Sequence, residues 1–190
     1  ERTPIMGLPI ADLAGGSLHA VVGLLAAVNH RNITGEGQHV DISMTDAIFG
    51  MNTMFGSQYL AGNEEPKPGT ETLNGGTFYD YYTTADGRSL SIGSLEPHFF
   101  QRMCVALGLE QQMSLGSQQD PHSQKQFRAM IEAKVAEKTL AEWSEIFDPQ
   151  DACVEPVLSL AEACSSEQIK QRDLIVDIET YQGTTQKQIG

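Results

Sequence analysis

The chain has 190 residues, with 12 Lys and Arg against 25 Asp and Glu, a formal charge of −13. With 40% hydrophobic and 19% charged residues it can bury a core, which excludes wholesale disorder. So acidic a surface argues against nucleic acid and anionic membrane as partners, and it leaves few cations to hold a phosphate-bearing ligand. Cys104, Cys153 and Cys164 form neither a metal pattern nor a disulfide framework, so a reducing, cytoplasmic setting is expected. The longest apolar stretch, Leu18 to Val28, is interrupted by His19 and Gly23. It falls short of the ~20 residues a helix needs to cross a bilayer, so no membrane insertion is expected. No signal peptide is visible. The chain begins at Glu1, without Met, which fits a fragment or a processed form.

In chain order, Asp12 before Gly15-Gly16 and an apolar run predicts a helix over about 13–31, with Asp12 near its N-cap. Gly15, Gly16, Ala20, Gly23, Ala26 and Ala27 permit close backbone packing. His39-Val-Asp-Ile-Ser43 alternates polar and apolar residues and reads as a short strand. A helix is expected from Met44 to Leu60, with Met44, Met51 and Met54 as adaptable core packing. The run Ala61 to Glu71, with Pro66, Pro68, Gly62 and Gly69, reads as a linker. Beyond it, Phe78–Thr84 and Ser89–Gly93 flank Asp86-Gly87 as a hairpin. A helix opens at Glu96-Pro97 and ends at Gly108. Residues 111–122 read as loop, and helices are expected over about 123–136 and from the capping box Thr139-Leu-Ala-Glu142. Ala152–Leu158 is an edge strand because Pro156 has no N–H to donate. Ser159 caps a short helix, and Leu174–Ile178 closes a small α+β arrangement.

Candidate chemistry rests on carboxylates. Asp12 reads either as a helix cap or as a carboxylate between small residues with room beside it for a substrate. Glu96 is either a local helix-start feature or a side chain projected from a strand-to-helix junction. His19, seven residues after Asp12, faces roughly the same side of an α-helix; it reads as a packing histidine, with proton transfer as a reserve role. Gly75-Gly76 is either a flexible entry to a strand or a place where backbone N–H groups approach a ligand. His30 and His39 lack partners at ligand spacing, so no metal is expected. No GxGxxG, P-loop or GxSxG pattern is present.

Several stretches together resemble the family III CoA-transferase (CaiB/BaiF) and α-methylacyl-CoA racemase superfamily. They are Pro9-Ile-Ala-Asp12-Leu-Ala-Gly15-Gly16; Gly23–Ala27 leading to Arg31 and Thr34–Asp46; Asn74-Gly75-Gly76 with Tyr79, Tyr82, Asp86-Gly87 and Gly93–Phe99; and Glu142-Trp143, Phe147 and Asp151–Leu158. The resemblance implies an α/β protein: the end of a Rossmann-like large domain in residues 1–60, a linker in 61–71, and a small α+β domain in 72–190. It implies a fragment of a longer enzyme, inactive alone, whose full-length form is an interlocked homodimer. It implies an acyl-CoA thioester as partner, with coenzyme A arriving as part of the substrate and no covalently bound cofactor. Asp12 and Glu96 match catalytic positions, and Gly15, Gly16, Gly75 and Gly76 substrate-binding ones. In the transferases the matching Asp attacks the acyl-CoA and then carries CoA as a thioester. In the racemases it shares α-proton transfer with an upstream His. Glu96 tilts the reading toward a 2-methylacyl-CoA racemase, while Leu8 stands where racemases often carry Asn. A non-catalytic acidic binding module is the rival from another class.

Overall fold

The structure, a computed structural model, describes residues 7–62, 65–118 and 120–190; part of the expected linker, Asn63 and Glu64, lies outside them. The chain divides into two compact units, Glu1–Pro66 and Lys67–Gly190.

The first unit is built on a long helix, α1, Ala11–Thr34. Its start, Ala11–Leu18, is π-helical and the remainder, His19–Thr34, is α-helical, closing on Gly35 in the left-handed region (φ 78°). Two further helices follow, α2 (Met44–Met51) and α3 (Thr53–Gly62). The single helix expected over 44–60 is therefore broken at Asn52, two residues after Gly50, a weak helix former. Ser43 caps α2 by accepting the Asp46 N–H.

The expected strand at 39–43 does not form. Its alternation is nonetheless used: Val40 and Ile42 both lie against Gly23 of α1, where a Cβ would come within 2.9 Å of one and 3.1 Å of the other. A strand needs a ladder partner, and the described residues of this unit supply none.

Among the described residues of this unit only Gly15 is buried. Met44, Met51 and Met54 are each about half exposed, so the expected core packing is absent. Along α1, Val21, Val22, Leu24, Leu25 and Val28 are all more than half exposed. The expectation that no segment is of spanning length is corrected here: Ala11–Thr34 is long and apolar enough to cross a membrane, with a mean hydropathy of 1.6. Counting only an unbroken apolar run undervalued the Gly and Ala that extend it. Length and composition alone do not separate lipid from a protein neighbour, and Gly15 and Gly23 already pack on protein along one face.

The second unit has its own core. Strands β1 (Asp80–Thr83), β2 (Ser89–Ile92) and β3 (Val154–Pro156) form an antiparallel sheet in that order, with Tyr82 opposite Leu90 and Ile92 opposite Val154. Pro156 sits on the edge strand, where its missing N–H costs no ladder bond. Helices α4 (Pro97–Leu107), α6 (Pro121–Val135) and α7 (Leu140–Phe147) supply Phe100, Met103, Phe127, Ile131 and Trp143 to the core with Tyr82, Leu90 and Ile92. Phe78, Phe100 and Phe127 form an aromatic cluster with centroids 5.2–5.7 Å apart. The stretch read as loop over 111–122 instead contains a 3₁₀ turn (Glu110–Gln112) and the short α5 (Met113–Gly116). Asp86 accepts from Leu140 N and the Thr84 hydroxyl, tying the hairpin turn to the start of α7. After β3 come α8 (Leu160–Ser165), α9 (Glu167–Gln171) and a separate hairpin, β4 (Ile175–Glu179) with β5 (Thr185–Ile189). Strand β5 was not expected, because Thr-Gln-Lys-Gln carries little strand signal.

Two outcomes follow from this packing. The apolar face of α1 makes the chain self-associate. Sedimentation of the 190-residue chain at tens of micromolar checks this: wild type runs larger than a monomer, and Val22→Glu with Leu25→Glu shifts it toward one. The second concerns Arg88, which grips Glu162 in a two-pronged pair at 2.7 and 3.0 Å. That contact, with the Ser159 cap, lowers the Glu162 carboxyl to about 2. A depressed carboxylate contributes stability above its unfolded value and loses it as pH falls through the folded one. The melting-temperature gap between wild type and Glu162→Gln is thus present at pH 6 and closes between about pH 4.5 and 2.

Candidate active site

Asp12 stands in the first turn of α1, not before it. The cap position is Ile10, itself helical, and no side chain caps this end. The cap role expected for Asp12 is therefore not taken. Its side chain is exposed, and among the described residues its carboxylate accepts no hydrogen bond. The helix start favours a negative charge there through its dipole.

The π-helical winding has local consequences. Wider turns leave carbonyls for partners five residues on: Ser17 Oγ donates to Asp12 O at 3.1 Å, and His19 Nδ1 lies 2.7 Å from Ala14 O. A carbonyl only accepts, so Nδ1 carries the proton and Nε2 of the neutral ring keeps its lone pair. Such π segments occur frequently at functional sites. They also undo one expectation. Seven residues return to the same face only with α-helical winding, which Ala11–Leu18 lacks. Ala11 opens onto a cleft of about 640 Å³ lined by Met44, Thr45, Ile48, Phe49 and Asn52. His19 instead opens onto one of about 510 Å³ with Asp41, Ser43 and Asp46, on the other side of α2.

Gly15 and Gly16 set how closely α1 lies on α2. A Cβ on Gly15 would come within 3.0 Å of Ile48 and 3.2 Å of the Met44 carbonyl; one on Gly16 would reach the Met44 thioether at 3.4 Å. The space at Gly15 is thus taken by protein, whereas Gly16 lies under a flexible side chain that also lines the apolar cleft beside Ala11.

In the second unit Glu96 occupies the N-cap of α4 with extended backbone (ψ 142°), followed by Pro97, and its side chain makes no cap bond. It too is exposed and uncommitted. The approach to it is rigid: Gly93 N donates to Cys153 O at 2.8 Å, and the buried Ser94 hydroxyl to Ala152 O at 2.6 Å. Cys153 has left-handed backbone (φ 51°), and partial desolvation followed by the Glu96, Asp151 and Glu155 carboxylates pushes its thiol up. The neighbourhood of Cys153 and Glu96 carried no sequence signal, because 57 residues separate them.

Gly75 has φ 101°, and Gly76 lies so close to the Thr70 carbonyl that no Cβ fits. Both positions require glycine. Among the described residues, no group of three or more His, Cys, Asp or Glu is arranged to hold a metal ion.

A family model for CoA-transferase family III matches residues 1–190. The chain belongs to CoA-transferase family III. The human protein named alpha-methylacyl-CoA racemase is 36% identical over 177 residues, covering 90% of this chain and 44% of that protein. The succinyl-CoA:mesaconate CoA-transferase of Haloarcula marismortui is 30% identical, covering 92% of this chain and again 44% of the relative. Among solved structures, Rv3272 from M. tuberculosis superposes with a TM-score of 0.75 at 20% identity, over 100% of this chain and 50% of that one. The chain thus spans about half the length of the family members it matches, and it has their α/β fold.

Proposed function

We propose that this chain supplies the reaction-centre part of an acyl-CoA enzyme of the 2-methylacyl-CoA racemase type, with Asp12 moving the α-proton. The observation that carries the reading is the carboxylate of Asp12: exposed, unspent on capping, and at a helix start whose preceding residue, Ala11, lines an apolar cleft. The 36% identity to a protein named for that activity supports the racemase version.

In this reading the thioester acidifies the α-carbon, and Asp12 takes or returns its proton on one face. A second acid–base group on the other face comes from outside these 190 residues. Negative charge develops on the thioester oxygen, where backbone donors are needed; Gly75-Gly76 is proposed separately as a substrate-binding turn of the second unit. Met44, Ile48 and Phe49 offer the acyl chain an apolar wall, and Gly16 lets it approach α1. Gly15 contributes through packing, by fixing where Asp12 stands. Glu96 assists through its free carboxylate at the start of α4. Coenzyme A arrives with the substrate, and no other cofactor takes part. The complete protein is proposed to be a cytoplasmic homodimer of interlocked chains, in which protein rather than lipid covers α1.

The 30% identity to a succinyl-CoA:mesaconate CoA-transferase favours a second reading, in which Asp12 attacks the thioester carbonyl and then carries CoA. One assay on the full-length protein separates the two. Wild type washes deuterium from D₂O into the α-position of a 2-methylacyl-CoA without any acceptor acid. Asp12→Asn lowers that rate by about 10²–10⁴-fold, the span of general acid–base catalysis, and Glu96→Gln lowers it less. CoA transfer that requires an acceptor, with no exchange, selects the transferase. Undiminished turnover in both variants leaves only a non-catalytic module.

A further inference from the structure

Where Asp12 points depends on how the residues around it are wound. An α-helix bonds each N–H to the carbonyl four residues back, a π-helix to the fifth, so the turn is wider. Gly15 is fixed, seated against Ile48 and the Met44 carbonyl. Measured from that fixed point, the two windings send Asp12 to different bearings about the helix axis. The chain does not impose the wider turn by itself. Long π segments are rare, and Gly15-Gly16 leaves the backbone free to take other conformations. A winding of this kind over Ala11–Leu18 therefore needs something to hold it.

Two side chains bond to it. A Ser hydroxyl inside an α-helix bonds three or four residues back. Ser17 Oγ instead reaches five, donating to Asp12 O at 3.1 Å. The His19 ring also reaches five, giving its Nδ1 proton to Ala14 O at 2.7 Å, while the His19 N–H goes to Gly16 O. His19 is the first residue of the α-helical part, so its ring bond spans the junction between the two windings. The ring is not placed to serve the proposed substrate directly. It opens onto the cleft of Asp41, Ser43 and Asp46, none of which lines the apolar cleft beside Ala11.

We infer that His19 is a positioning residue for Asp12: by donating to Ala14 O it holds the π winding that directs the Asp12 carboxylate, without touching the substrate. This rests on the proposed reading that Asp12 meets the thioester. It gives the free carboxylate and the unusual winding, both within the first unit, one shared cause.

The test uses the full-length protein with 2-methyldecanoyl-CoA as probe in D₂O. His19→Leu, His19→Asn and the double variant Asp12→Asn with His19→Leu are compared with wild type and with Asp12→Asn. The Asn amide nitrogen hangs on Cγ as Nδ1 does, so it still donates to Ala14 O, but it takes up no proton. Crystal structures of the substrate-free variants read the winding of residues 11–18; kcat and KM for α-hydrogen exchange and the melting temperature are read beside them. In His19→Leu the segment rewinds toward α-helix and kcat falls about 100-fold, the scale of a misplacement of about 1 Å, while KM and melting temperature change little. His19→Asn keeps the π winding and recovers most of the rate. The double variant is no slower than Asp12→Asn alone, because His19 acts through Asp12. Unchanged π winding in His19→Leu overturns the hold. Rewinding with unchanged kcat overturns the positioning role. His19→Asn as slow as His19→Leu, with the winding kept, makes the ring a proton carrier and also overturns it. Loss of rate in step with a collapsed melting temperature in both single variants reduces His19 to a structural residue. If wild type exchanges no α-hydrogen, the racemase reading alone fails; the crystals still decide the hold, and the rates are read through acceptor-dependent CoA transfer.

Discussion

The first unit depends on one close approach, the seating of Gly15 of α1 against Ile48 and the backbone of Met44 on α2. It is the sole buried position in the described part of that unit, so little else fixes α2 against the start of α1. Any side chain at 15 would require Ile48 and the Met44 carbonyl to give by a few tenths of an ångström. Asp12 is three residues away on the same helical start, so its position follows from that contact. A carboxylate that caps its own helix has its charge spread over amides; this one does not, and among the described residues its lone pairs are uncommitted.

The two units hold their chemistry by opposite means. The first has almost no core, and its long apolar helix has protein along one face only. The second has a core of its own, made by its sheet, helices and aromatic cluster. On that firm base sit Glu96, at the start of α4, and the glycine turn held by α6. Precision in the second unit therefore comes from packing, whereas in the first it comes from a glycine contact and a π-helical start.

Legibility in the sequence followed the range of the interactions. Local devices were plain: the Thr139–Glu142 capping box, Ser159 as a helix cap, Gly108 as helix stop, the Asp86-Gly87 turn and Pro156 on an edge all form from nearest neighbours. What depended on an absent partner was misread, as with the strand at 39–43 and the methionine core. The π-helical start could not be read because its winding depends on hydrogen-bond choices that no residue pattern announces, and it removes the α-helical spacing on which the alignment of His19 with Asp12 rested. Asp12 and Glu96 stood out by position, at a helix start and at a strand-to-helix junction, while their catalytic roles came from the resemblance. Arg128 and Gln124, which hold the glycine turn, were invisible, since on α6 they look like ordinary polar residues and their partners lie about 50 residues earlier.

The central question is where the Asp12 carboxylate meets the substrate. A crystal structure of the full-length protein with a bound, unreactive 2-methylacyl-CoA analogue measures this directly. The account predicts a carboxylate oxygen about 3–3.5 Å from the α-carbon, as a near-attack arrangement requires. A carboxylate turned back onto the amides of its own helix, with the thioester bound elsewhere, would contradict it.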